Sequence, residues 1–239
     1  MLMNLFILIP ILLPLLAGAA LPLVAANDDK KRKTYVVAVM IFNTMLVVML
    51  AVLSSPEIRM MHITDAINIF LRVDDLSRFF MILASAMWLI VTFYAFEYIK
   101  PHGKETRFFV FFLMAYGAII GACLAGNFFT LYLFYELITL LTFPMVIHFG
   151  TEASSKAGAK YLMYSFFGAA LIMIGFVFMS NYGVTTDFVA GGTLDAGIAA
   201  ANETALLVVF IISFMCAHHF LHASVCAMAA QRSSHSTSR

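Results

Sequence analysis

Charge is scarce in this sequence. Only 11% of its 239 residues are Asp, Glu, Lys or Arg, and 63% are hydrophobic. With a mean hydropathy of +0.96, the chain carries more apolar surface than a soluble domain needs and reads as a polytopic membrane protein. A net charge of +1 argues against nucleic-acid binding. Cysteine is equally thin. Cys123, Cys216 and Cys226 lie within or beside apolar segments without CxxC spacing, so they are expected as reduced, buried thiols and not as a disulfide framework. There is no Walker, Rossmann or haem motif and no large soluble domain to hold a redox cofactor. No cofactor, metal or covalent catalysis is assigned. A basic leader is missing too: the first apolar segment is long and Pro-rich, and its charges follow it. It is expected as a retained helix, not a signal peptide.

What remains is a series of apolar runs. Seven spans are expected, at about 2–26, 35–53, 77–99, 107–125, 128–149, 157–180 and 204–227. Together they make one all-α, polytopic integral membrane helix bundle over 1–227, followed by a polar tail at 228–239. Loop charge orients it. Lys30, Lys31, Arg32 and Lys33 follow the first helix, Lys100, Lys104 and Arg107 the third, and Lys156 and Lys160 the fifth. The 181–203 connection carries Asp187, Asp195 and Glu203 and no Lys or Arg, while 54–76 is mixed. The positive-inside rule then puts the N-terminus outside and the basic turns in the cytoplasm. Residues 58–75, IRMMHITDAINIFLRVDD, alternate as an extended or hairpin-like external segment. The GGTLDAG stretch near Gly191 reads as an external loop.

One run carries a carboxylate. Phe128–Phe149, FFTLYLFYELITLLTFPMVIHF, has no Asp, Lys or Arg but holds Glu136. As a helix it is about 33 Å long, enough to cross a bilayer with Glu136 near the middle. A charge there costs at least roughly 2.5–3.5 kcal/mol on insertion scales, so it should face protein or water and marks an ion or proton path. The plainer alternative is a protonated Glu giving one interhelical hydrogen bond.

Other polar residues are read beside it. Lys160 opens the sixth span and either snorkels to the headgroups or serves as a half-buried step on the path. Tyr161, Tyr164 and Ser165 could extend a polar line, and helical spacing puts Lys160 and Tyr164 on one face. Glu136 lies too deep to touch Lys160 directly. His148, with an unperturbed pKa near ~6.5, is either a proton relay or a plain interfacial histidine. Glu97 and Lys100 read as a surface ion pair. Asp74 and Asp75 read as helix N-terminal charges, with Asp75 or Ser77 as the cap. His218 and His222 stand i, i+4 as metal ligands can, but no metal site is assigned to them.

Three stretches, LRVDDLSRFF, LYLFYELITLLTFPMV and KYLMYSFFGAALIMIGFVF, resemble the antiporter-like membrane subunits of respiratory complex I (the L, M and N type chains of NADH:quinone oxidoreductase). They are similar also to D-type subunits of multisubunit cation/proton antiporters and to membrane arms of energy-converting hydrogenases. The resemblance runs from about residue 65 to 215. It implies a proton- or cation-translocating subunit of a redox-driven, oxidoreductase-type complex, with other membrane subunits as partners and H⁺ or Na⁺ as the ion. The setting it implies is a bacterial or archaeal plasma membrane. It places the family's path glutamate at Glu136. The alternatives are a structural scaffold without its own ion path, or a standalone channel, for which no filter is recognisable.

The resemblance also implies a lysine in the seventh helix, then a W-L-P-x-A-H-P segment and further helices. No Lys follows Lys160 here. When Ala227–Ser238 is read back to codons and shifted forward by one nucleotide, the single Met228 codon followed by Ala229 forces Trp. The other positions permit R-W-L-P-N-A-H-P-I-A-P-A. The sequence is therefore expected to be the N-terminal half of such a subunit, frameshifted, truncated and inactive alone. DNA past the stop codon should then encode further apolar spans in the +1 frame, starting with the W-L-P segment. Non-coding DNA there would make this a natural short protein.

Overall fold

The computed structural model describes residues 6–25, 28–53, 56–62, 67–183, 185–189, 197, 203–211 and 213. A short 3-10 turn at Phe6–Leu8 leads into α1 (Ile9–Ala25) and α2 (Asp29–Leu53). A β-hairpin of β1 (Glu57–His62) and β2 (Asn68–Arg72) follows. Then come α3 (Asp75–Ile99), α4 (Glu105–Cys123), α5 (Phe128–Val146), α6 (Glu152–Tyr182) and the short α7 (Glu203–Phe210). Among the described residues, α1 (with the turn before it) to α6 are long and apolar enough to cross a membrane. The expected seventh span begins in α7, and most of it lies outside the described residues, as do Cys216, Cys226, His218, His222, residues 191–196 of the GGTLDAG stretch and the 228–239 tail.

The helices outrun the apolar runs that announced them, because polar residues build their ends. α2 begins at Asp29, six residues before the expected span, with the Asp28 carboxylate accepting the Lys31 N–H at 3.1 Å. α6 begins at Glu152, capped by Thr151, whose side chain accepts the Ser154 N–H. At α3 the cap is Asp74, not Asp75 or Ser77. Asp74 accepts the Ser77 N–H at 2.8 Å while the Ser77 hydroxyl accepts the Asp74 N–H at 2.8 Å, a reciprocal capping box. Partial burial pushes the Asp74 carboxyl up, but the Ser77 hydrogen bonds and the Arg72 guanidinium outweigh it and hold it below its usual value.

α4 is the central helix. It packs against α1, α3 and α5, and half of its span is buried, against 17% for α5. α1 is thus part of the core. At the α1–α4 crossing a side chain on Gly18 would meet the Val110 carbonyl at 2.7 Å, and one on Gly117 would meet the Ile11 carbonyl at 2.6 Å. Only glycine allows backbones this close. Pro14 has no N–H, so the Pro10 carbonyl one turn earlier loses its helical partner. The fully buried Asn43 of α2 supplies a donor instead, at 3.2 Å from Nδ2.

The expected external segment is an antiparallel hairpin, with Glu57 opposite Arg72 and an irregularity between Arg59 and Met61. Its free edge continues onto the α4–α5 turn: the Arg72 N–H donates to the Leu124 carbonyl at 2.9 Å, and the Gly126 N–H to the Phe70 carbonyl at 2.8 Å. Asn127 pairs in turn with Asp187. Arg59 lies 3.8 Å from the Phe70 ring centroid and 2.5 Å from the Asp187 carboxylate. The hairpin, the α4–α5 turn and the segment after α6 therefore share one end of the bundle.

The opposite end gathers the basic turns. Arg32 joins Asp29 at 2.6 Å and also pairs with Glu105. The His148 Nε2 donates to the Gly103 carbonyl at 3.1 Å. Glu97 and Lys100 are both exposed at this end, and among the described residues no ion pair joins them, in contrast to the expected bridge. The segregation of connections to two ends is the alternation that the loop charges require, and it supports a direct test of sidedness. With the native cysteines replaced, Lys31→Cys and Lys104→Cys should be shielded from an impermeant thiol reagent in intact cells, whereas Val189→Cys should react. The reverse labelling pattern would refute an outside N-terminus.

Candidate functional site

Glu136 stands on α5, about 12 Å from its first residue in a helix about 28 Å long. The helix is positioned from its N-terminus. Asn127 caps it by accepting the Thr130 N–H at 2.8 Å, and the same side chain donates to the Asn68 side chain at 2.7 Å. Thr130 in turn accepts the Phe70 N–H at 2.9 Å. These groups are buried, so the hairpin fixes the height of α5. One α5 face lies on α4, where a side chain on Gly121 would collide with the Phe134 ring. Another lies on α6, where Gly158 allows close approach of Ile147 and Phe143. The remaining surface is open, with Leu133 and Leu140 exposed. Pro144 leaves the Leu140 carbonyl without its helical N–H near the basic end of the helix.

Glu136 itself is half-buried, and its Oε1 is buried without a hydrogen-bond partner among the described residues. Phenols surround it. Tyr132, one turn earlier, interacts with the Glu136 carboxylate. Tyr135 adjoins Glu136 on the same helix. Tyr161 and Thr142 share a hydrogen bond of 2.7 Å between their hydroxyls.

The other sequence candidates lie apart. Lys160 is exposed at the basic end, and among the described residues no ion pair joins it to Glu136. On α6, Tyr161 bonds to the Thr142 hydroxyl. His148 is 4% exposed, with its ring 5.5 Å from that of Phe108 and its Nε2 fixed on the turn before α4. Twelve residues, or about 18 Å of helical rise, separate it from Glu136. Gly103 and Lys104 of that turn both have positive φ, 68° and 52°. Tyr132, Tyr135, Thr139 and Thr142 were not singled out in the sequence, although their 3-4-3 spacing already places them on one face of a helix. Among the described residues no group of three or more His, Cys, Asp or Glu could hold a metal ion, and Cys123 is a free thiol.

Among the described residues, six long apolar helices and a mid-span carboxylate define a multi-pass membrane protein. Residues 125–223 match the family described as NADH:quinone oxidoreductase/Mrp antiporter, TM. The chain is 24% identical over 221 residues to the D-type subunit of the Na(+)/H(+) antiporter of Alkalihalophilus pseudofirmus, covering 89% of this chain and 43% of that protein. In fold it is similar to a chain of the Mrp complex from Dietzia sp., with a TM-score of 0.67 and 14% identity, covering 88% of this chain and 23% of that one. It is similar also to a chain of the membrane-bound sulfane sulfur reductase, an archaeal respiratory membrane complex, with a TM-score of 0.62 and 17% identity, covering 86% and 42%. Residues 125–223 thus match the membrane region of that family, and the chain as a whole shares its fold with these neighbours. It spans less than half the length of these relatives.

Proposed function

We propose that this chain is a proton- or cation-translocating subunit of a multisubunit, redox-driven or antiporter-type complex in a bacterial or archaeal plasma membrane, and that Glu136 carries the charge step. The supporting observation is Glu136 itself: a mid-span carboxylate with one buried oxygen that accepts no hydrogen bond among the described residues. A fixed structural carboxylate would be expected to use that oxygen, whereas an acid that gains and loses a proton needs a free position for it. Lys160, exposed where α6 leaves the basic end, then stands at the mouth of the path, and His148 fastens the turn beside it. Electron transfer belongs to partner subunits.

A second reading is favoured by the open face of α5: a neighbouring subunit could place a donor there, and Glu136 would hold subunits together without moving protons. Ion uptake by vesicles carrying the assembled complex, with and without Glu136→Gln, separates the two readings. Loss of uptake with intact assembly supports the carrier; normal uptake supports the scaffold.

A further inference from the structure

We propose that the hydroxyls on the α5–α6 seam form a proton lead between the basic end of the bundle and Glu136; this rests on the carrier reading above. The Thr142 and Tyr161 hydroxyls lie 2.7 Å apart and either can donate; when the Thr142 hydroxyl turns from the Ile138 carbonyl, 2.8 Å away, its proton points along the lead to Tyr161. Tyr132, Tyr135, Thr139 and Thr142 line one face of α5, Tyr161 meets that face at Thr142, and Tyr132 stands one turn before Glu136. Thr139, between these levels, is buried with its hydroxyl 3.2 Å from the Tyr135 carbonyl. Thr142 lies six residues beyond Glu136, about 9 Å nearer the basic end.

Packing alone does not call for these groups. Buried hydroxyls cost free energy unless hydrogen-bonded, and the chain fills comparable space elsewhere with phenylalanine: it has 24 Phe and 9 Tyr. Two of those tyrosines, Tyr132 and Tyr135, stand within one turn of Glu136 on α5, and a third, Tyr161, bonds to the same helix at Thr142. A hydroxyl can accept one proton and release another, so a proton passed from Thr142 through Tyr161 and Tyr135 leaves every hydroxyl neutral. The Glu136 carboxylate becomes the carboxylic acid, and nothing is oxidised or reduced. Where two phenols stand further apart than a hydrogen bond, one bridging water completes the line.

The test uses the full chain in lipid nanodiscs. A pH jump is followed by the infrared carbonyl stretch of protonated Glu136, assigned by its loss in Glu136→Gln. Tyr161→Phe and Thr142→Val keep the shape of each side chain and remove the hydroxyl. Each should slow protonation on the order of a hundredfold, the low end for loss of a positioned proton carrier, while the final extent of protonation stays the same. Because the links act in series, the double variant should be no slower than the slower single variant. Tyr94→Phe, on the exposed face of α3, should change nothing. Unchanged rates in both single variants, or an equal slowing by Tyr94→Phe, would overturn the lead while leaving Glu136 as a carrier. A Glu136 band that never titrates would overturn the carrier reading and the lead together.

Discussion

Glu136→Gln is expected to reduce ion translocation to roughly 1% or less of the unsubstituted rate, the loss that follows removal of a proton-transfer group, while the complex still assembles. The substitution isolates one property. Gln keeps the volume, the reach and an oxygen acceptor, but it cannot gain or lose the proton or carry the charge. Its structural cost is small because the Glu136 Oε1 accepts no hydrogen bond among the described residues, so that position loses no bond. A neutral amide is also cheaper than a carboxylate at this depth, so insertion of α5 should be no harder. Loss of transport could then not be ascribed to misfolding, and recovery of the complex on a sizing column would check that directly. Dye-monitored proton uptake by inverted membrane vesicles gives the rate. Uptake at the normal rate would mean that Glu136 only bonds subunits together, since the amide serves that purpose equally well.

The α5–α6 seam shows which parts of this molecule could be read from its sequence. The six long helices were legible because apolar runs bounded by charge have a single reading in a membrane. The hairpin was legible because Val, Ile and Thr alternated between turn signals in 58–75. Glu136 was legible because it is the lone acid in an apolar span. Its surroundings were not. Tyr132, Tyr135, Thr139 and Thr142 recur at helical spacing, but so do the phenylalanines around them, and the sequence does not say which α6 residue meets them. Lys160 and Tyr161 are adjacent in sequence yet face different surroundings, one exposed and one bonded to Thr142. His148 shows the same limit. Its chemistry could be read, but not its partner, a carbonyl contributed from 45 residues away at Gly103. Helix ends were misplaced where caps rather than hydropathy decide them, as at Asp28, Asp74 and Thr151.

Arg32 is the clearest residue whose role depends on tertiary contact, and it supports the second large expected effect. In the sequence it is one of four consecutive basic residues, Lys30 to Lys33, that orient the first loop. In the fold its side chain is 7% exposed, while that of Lys31 is 72% exposed. Arg32 bridges the start of α2 to the start of α4, pairing with Asp29 at 2.6 Å, with the 15%-exposed Glu105, and more loosely with Thr106 at 3.4 Å. The planar guanidinium can serve several acceptors at once, which a lysine ammonium in the same place would do less well. Arg32→Met should therefore leave Glu105 nearly buried without its counter-charge and destabilise the bundle by about 3 kcal/mol, the low end for breaking a buried pair, because Asp29 is half exposed. Lys31→Met at the exposed neighbouring position should cost less than about 1 kcal/mol. Adding Glu105→Gln to Arg32→Met removes the orphaned charge and should restore much of the loss. Unfolding of the chain in mixed detergent micelles, followed by circular dichroism, measures all four proteins. Equal stability of Arg32→Met and Lys31→Met would mean that the Arg32–Glu105 pair holds nothing together, and that Arg32 acts only as one more orienting charge.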